Sequence, residues 1–224
     1  MLADAIAWAP DLLDGLKLTI LLTFASMALA MVLGLLLALG RLRPQSSLIY
    51  WATTIFVELI RGSPLLLQLF YIYYVFPFIG IRIPAIVSGI IGLMINYGAY
   101  LSEVFRAGIL AVDKGQWEAA EAIGLHQRLI LRLVVLPQAI RVVLPPVGNY
   151  FISLFKDTAL VSTISIGELI FRGQLIAADT FKYLQVYTII FVIYVAISIP
   201  ASLGVKALER HLAASRTLPR ALRG

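Results

Sequence analysis

Apolar residues run through this chain in blocks longer than a soluble core helix needs. No Asp, Glu, Lys or Arg occurs in residues 18–40, 62–81, 83–102, 142–155 or 183–205. A helix needs about 20 apolar residues to cross a bilayer core, and four of these blocks reach that length. The short one, 142–155, is extended by 133–140 with only Arg141 between them. The pattern predicts five spanning helices, at 16–40, 50–76, 83–106, 137–164 and 183–208. They form one all-α integral membrane domain covering residues 1–224.

Small residues recur at four-residue spacing inside these blocks: Ala30, Gly34 and Ala38 in the first, Ser88, Gly92 and Asn96 in the third. That interval lets helix backbones approach closely in lipid, and packing alone accounts for most of it. Asn96 differs, because an amide near mid-span needs a partner there. Two outer connections follow, a short turn with Tyr and Phe at the interface, broken by Pro77, Gly80 and Pro84, and a longer one over residues 167–183 that suits a short helix along the membrane.

Composition agrees with lipid as the main solvent. The chain is 61% hydrophobic and 13% charged, where a soluble domain is about a quarter charged. The first 14 residues hold Asp4, Asp11 and Asp14 and no basic residue, unlike the positive start of a cleaved signal. The net charge of +6 is explained by where it sits. With the N-terminus outside, twelve Lys and Arg fall in inner segments and four (Lys17, Arg82, Arg172, Lys182) outside. The positive-inside bias therefore predicts N-terminus out and C-terminus in, with no nucleic-acid patch and a solvated basic tail after Val205.

Five charges lie within or at the edges of the spans. Each is costly there unless paired or facing water. Glu58 and Arg61 are one helical turn apart, and Glu103 lies at a similar depth, so the three are expected to meet as a structural ion-pair network or a gate. Lys156 and Asp157 are adjacent, and so point about a hundred degrees apart. With Ser153 nearby they suit the ammonium and carboxylate of a zwitterion, or line a cavity without touching one. The expected path residues are Asn96, Tyr97, Tyr100, Ser153, Lys156 and Asp157.

The longest polar insertion, 112–136, is predicted inside. Asp113 with Gln116 resembles a capping box that starts a helix near Lys114, and Gly124 interrupts it. Leu125, Leu129 and Leu133 then mark a second short helix ending at Leu136-Pro137. Two helices bent at a glycine and tethered by a proline make a rigid knob that something can grip.

Here "EAAEAIGLHQRLILRLVVLP" (residues 118–137) resembles the EAA signature of binding-protein-dependent ABC importer permeases: Glu-Ala-Ala, three residues, Gly, nine residues, an aliphatic, one residue, Leu-Pro. Val134 stands where Ile is usual. "RGSPLLLQLFYIYY", "GAYLSEVFRAGI" and "LPQAIRVVLPPVGNYFISLFKDTALVS" are similar to stretches of the polar amino acid permeases (the His/Gln/Glu/Arg type), with Ser63 where Thr is commoner. The resemblance spans residues 12–210 and implies the type I ABC importer fold and a location in the bacterial inner membrane. It also implies a dimer of permeases, from a second copy or a paralogue, two ABC ATPase subunits and an external solute-binding protein. Trp117, Glu118, Ala119, Ala120, Gly124 and Leu125 would then form the coupling surface.

No Gly-x4-Gly-Lys-Ser/Thr phosphate loop occurs, so ATP is expected on the partner, with no catalytic residue, metal or cofactor here. An intramembrane enzyme lacks its chemistry, with no Cys and both His at the cytoplasmic side. A self-powered carrier or channel for small polar solutes is the remaining rival, and it has no use for the knob. Polar amino acids or related zwitterions are the expected cargo.

Overall fold

The computed structural model describes residues 2–214. Its elements are, in order, α1 (Leu2–Arg41), α2 (Leu48–Arg61), α3 (Leu65–Phe70), α4 (Ala85–Leu110), α5 (Lys114–Ala122), α6 (Gln127–Leu129), α7 (Leu136–Asp157), α8 (Leu169–Thr180) and α9 (Tyr183–Ala214). A π-helical turn over Tyr71–Val75 and a 3₁₀ turn over Phe76–Ile79 continue α3. A second π turn, Ile130–Val135, joins α6 to α7 without a break, and Thr158–Ile164 prolongs α7 as 3₁₀. Among the described residues four helices are long and apolar enough to cross a membrane, five if the bent α2–α3 pair counts as one span.

The expected second span is the exception. α2 and α3 meet at 104°, so 50–76 is not one straight helix but a span broken at Gly62, Ser63 and Pro64. Proline has no N–H to continue the ladder and biases the residue before it away from helix. The break would leave carbonyls bare at membrane depth, a cost that protein or water must offset. Gln68 does so: its Nε2 donates to Ile60 O at 2.8 Å, Ser63 O at 3.2 Å and Ser63 Oγ at 2.9 Å.

The small residues fix the frame around this break. α1 and α4 share the most extensive packing, and Ala30 and Ala38 are fully buried. A Cβ on Gly34 would lie 2.9 Å from Leu101 Cβ and 3.0 Å from Gly98 O, so the two backbones touch through glycine. Leu22, Leu69, Leu93, Leu101 and Leu154 form the core between α1, α3, α4 and α7. By contrast α9 turns Phe191, Val192, Ile199 and Leu203 outward, an apolar face that water would not stabilise.

Three other boundaries move. α1 begins at Leu2, well before residue 16, and its 40 residues measure about 60 Å, roughly twice a hydrocarbon core. The outer connection does hold a helix, α8, but it docks on α1 and α9 through Leu12, Leu169, Ala177 and Val186. α9 remains helical through Ala214, and the rest of the basic tail, 215–224, lies outside the described residues.

Candidate functional site

The break in the second span faces α4 and α7, and a cavity of about 500 Å³ opens between them. Ser63 and Pro64 form its wall on one side, Asn96, Tyr97 and Tyr100 on the second, Tyr150, Ser153 and Asp157 on the third, and Arg61 reaches in from the end of α2. Asn96 Nδ2 donates to Gln68 Oε1 at 3.2 Å, so the mid-span amide finds its partner in the side chain that caps the break. Tyr97 hydroxyl donates to Asp157 Oδ2 at 2.7 Å, and no cation among the described residues pairs with Asp157. A cluster of rings completes the wall: Tyr97 lies edge-on to Tyr150 with centroids 6.3 Å apart, and Tyr100 lies tilted at 5.9 Å from it.

Five of the six expected path residues thus line one space. Lys156 does not. It is exposed on a different face of α7, in an apolar groove with Ile170, Tyr187 and Tyr194. The hundred-degree step between neighbours puts only one of the two into the cavity, and packing against α4 selects Asp157. The cation that shares the cavity with Asp157 is Arg61, which sequence reasoning had placed in the ion-pair network.

That network exists and is larger than expected. Glu103 Oε1 accepts from Arg41 Nη1 at 2.7 Å and from Arg61 Nη1 at 3.0 Å, and Oε2 accepts from Arg106 Nε and Nη2, both at 3.2 Å. Glu58 Oε1 lies 3.5 Å from Arg41 Nη2 and 3.7 Å from Arg61 Nη1. The sequence reading missed Arg41, whose side chain is 9% exposed. It is the last residue of α1 and looked like a loop cation. Three guanidinium groups face two carboxylates, which leaves one positive charge in excess beside the cavity.

The polar insertion folds as a knob under the other ends of α4 and α7. Asp113 caps α5 by accepting from Gly115 N at 2.7 Å. The reciprocal half of the capping box is not made, because Gln116 Oε1 accepts instead from Gln138 Nε2 at 3.3 Å. Gly124 ends the helix at φ +82°, with Gly124 N donating to Glu121 O and Leu125 N to Ala120 O, the Schellman arrangement that glycine favours. Trp117, Ala120 and Leu125 pack inward with Ile109, Val112, Ile130 and Val135, which leaves Glu118, Ala119 and Gly124 exposed.

The expected proline tether takes the form of a continuous helix. His126 Nδ1 accepts from Leu129 N to start a helix that runs uninterrupted over Gln127–Ile164, and Pro137 sits inside it, in the first turn of α7.

One further buried acid lies away from the knob. Glu168 is fully buried, its Oε1 accepting from Phe171 N at 2.8 Å and its Oε2 from Thr19 Oγ1 at 3.4 Å. Burial pushes its carboxyl up to about 7, against the backbone hydrogen bonds that pull it down. Sequence reading passed over it as part of a loop.

Known proteins share this arrangement. Residues 30–214 match the family described as "Binding-protein-dependent transport system inner membrane component". The L-cystine transport system permease protein TcyB of Bacillus subtilis (strain 168) is 43% identical over 91% of this chain and 87% of its own length. The glutamine transport system permease protein GlnP of Escherichia coli (strain K12) is 35% identical over 91% of this chain and 93% of its own. A crystal structure of an amino acid ABC transporter with histidines superposes with a TM-score of 0.87 at 36% identity, covering 93% of this chain and 97% of that one. The MetNI methionine ABC transporter, at 20% identity and a TM-score of 0.75 over 90% of this chain and 96% of that one, shares the fold. With its broken second span, its helical bundle and its knob, the chain belongs to the family of binding-protein-dependent transport system inner membrane components, as a transmembrane subunit of an ABC importer.

Proposed function

We propose that this subunit carries polar amino acids or related zwitterions through the cavity between α2–α3, α4 and α7. The observation that carries the reading is the pairing of opposite charges across one space, Arg61 on one wall and the Asp157–Tyr97 pair on another. A zwitterion presents an ammonium and a carboxylate a few ångströms apart, and a cavity of about 500 Å³ suits such a solute. Asp157 takes the ammonium, Tyr97 orients that carboxylate, and Ser153 and Asn96 add hydrogen bonds. Relatives named for glutamine and L-cystine support an amino acid as cargo.

In this reading two such subunits, identical or paralogous, form the path, and an external solute-binding protein delivers the cargo. Two ATPase subunits bind the ATP and grip the knob at its exposed Glu118, Ala119 and Gly124, with Trp117, Ala120 and Leu125 packed beneath that surface, so this chain needs no cofactor of its own. The excess of Lys and Arg on the knob side supports an inner-membrane orientation with the N-terminus outside and the C-terminus in the cytoplasm. A self-powered carrier would leave the exposed face of α5 without a role.

The test is ATP-dependent uptake of radiolabelled amino acids by the complete complex in liposomes. Asp157→Asn is expected to raise KM roughly tenfold or more, because a hydrogen bond to a charged group is worth about 1.5–3 kcal/mol. Lys156→Gln should leave KM within about twofold. Equal effects of the two changes, or uptake without ATP, would overturn the assignment.

A further inference from the structure

Arg61 belongs to two sites at once. Its Nη1 bonds Glu103 at 3.0 Å, yet the same side chain lines the cavity and its guanidinium carbon lies 5.5 Å from the Tyr100 ring centroid. Only Nη1 is engaged in ion pairs, and Nε is buried with no hydrogen-bond partner. A buried N–H without an acceptor costs free energy until one arrives. The acceptor that fits two N–H groups of a planar fork is a carboxylate.

The neighbouring arginines are committed elsewhere. Arg41 is shared between Glu103 and Glu58, and Arg106 gives both its Nε and its Nη2 to Glu103. Glu103 therefore stays neutralised by Arg41 and Arg106 if Arg61 turns away. The cluster's excess positive charge is the one that can leave without orphaning a carboxylate.

We propose that Arg61 is a shared cation, exchanged from Glu103 to the carboxylate of the cargo, so that loading the cavity releases the end of α2 from α4. This deepens the reading of the cavity given above and rests on it. Cargo without a free carboxylate would still meet Asp157 but would leave the Arg61–Glu103 tie closed.

The experiment is equilibrium binding of radiolabelled L-glutamine, L-histidine, L-glutamate and L-arginine to the permease–ATPase complex in lipid nanodiscs, without binding protein. Each amino acid that binds is competed with itself and with its α-carboxamide. In the wild type the carboxamide should compete roughly tenfold or more weakly, the loss expected for a charge-assisted bond. Arg61→Gln should bring that ratio close to one, with Arg61→Lys between. Glu103→Gln removes the competitor for Arg61, so it should tighten the amino acid severalfold and leave the carboxamide unchanged. A brace without a binding role predicts otherwise: both forms weaken together and the ratio stays at its wild-type value in Arg61→Gln and Arg61→Lys. That result, or equal weakening of both forms in Glu103→Gln, overturns the exchange while leaving the cavity reading intact. If Glu103→Gln fails to assemble, the two Arg61 variants decide alone. Absence of binding by all four amino acids to the wild-type complex sinks the cavity reading itself, and the exchange with it.

Discussion

Adding one methyl group to α1 should cost stability that the same addition to α9 does not. In Gly34→Ala the new Cβ would lie 2.9 Å from Leu101 Cβ and 3.0 Å from Gly98 O. Carbon atoms sit comfortably at about 3.5–4.0 Å, so the first contact is short by roughly 0.6–1 Å. Neither neighbour can rotate aside, because one is a Cβ and the other a backbone carbonyl. The two helices must part instead. A gap of about 0.5–1 Å forfeits a quarter to a half of each remaining dispersion contact, and overpacking of this kind costs about 1–3 kcal/mol. At Gly204 nothing lies within 4 Å of the built Cβ.

In water each change would gain about 0.5–1 kcal/mol of helix propensity. In a membrane the separated spans remain helical, since lipid offers the backbone no other partner, and that gain largely cancels. Gly34→Ala should therefore lose about 1–3 kcal/mol and Gly204→Ala should stay within about 0.5 kcal/mol of zero. For a chain of this length the first figure corresponds to a drop of roughly 2–12 °C in the melting temperature. Thermal unfolding of the two purified variants in the same detergent, followed by tryptophan fluorescence, reads it directly. Equal melting temperatures would refute the claim that glycine contact sets the α1–α4 spacing.

Two more outcomes follow from the knob and from the buried acid. Gly124→Ala forces a side chain into the left-handed region at φ +82°, which costs about 1–2 kcal/mol. Since the site is exposed, the bundle should survive while co-purification of the ATPase subunit falls severalfold, and unchanged co-elution on gel filtration would count against a coupling role. Glu168 holds its proton more tightly when folded, because burial pushes its carboxyl from 4.5 to about 7. The folded state then binds more protons than the unfolded one between those values, so stability declines as pH rises from about 4.5 to 7, by up to about 3 kcal/mol. Melts taken across pH 5–8 should show that slope in the wild type and a flatter one in Glu168→Gln. Parallel slopes would assign the effect elsewhere.

Which parts of this were visible in the residues depends on what a one-dimensional pattern can carry. Charge-free blocks locate the spans because desolvation of a charge dominates every other term in lipid. Direction is another matter. The block 62–81 reads as continuous because apolarity does not register a turn, although Gly62, Ser63 and Pro64 together signal one. Adjacency showed that Lys156 and Asp157 diverge, but only the position of α4 decides which of them enters the cavity. Arg41 and Glu168 were passed over for a shared reason. Each sits at a helix end, where a charge looks solvated until a distant element covers it.

The knob is built to pass force towards the cavity. Gln127–Ile164 is one helix, and α5 is fixed to it through the Gln116–Gln138 bond and the packing of Trp117 and Ala120. A displacement of α5 is therefore carried along a single element to Tyr150, Ser153 and Asp157. Arg61 stands at the end of α2, tied to Glu103 of α4 and through it to Arg41 of α1, while Asp157 stands on α7, tied to α4 by the Tyr97 hydroxyl. The charges proposed to hold a zwitterion thus sit on different helices that meet at α4, and their separation depends on how α2 and α7 pack against it. Gln68 caps the α2–α3 break from within α3, and Asn96, the polar residue whose mid-span position first asked for a partner, holds Gln68 to α4.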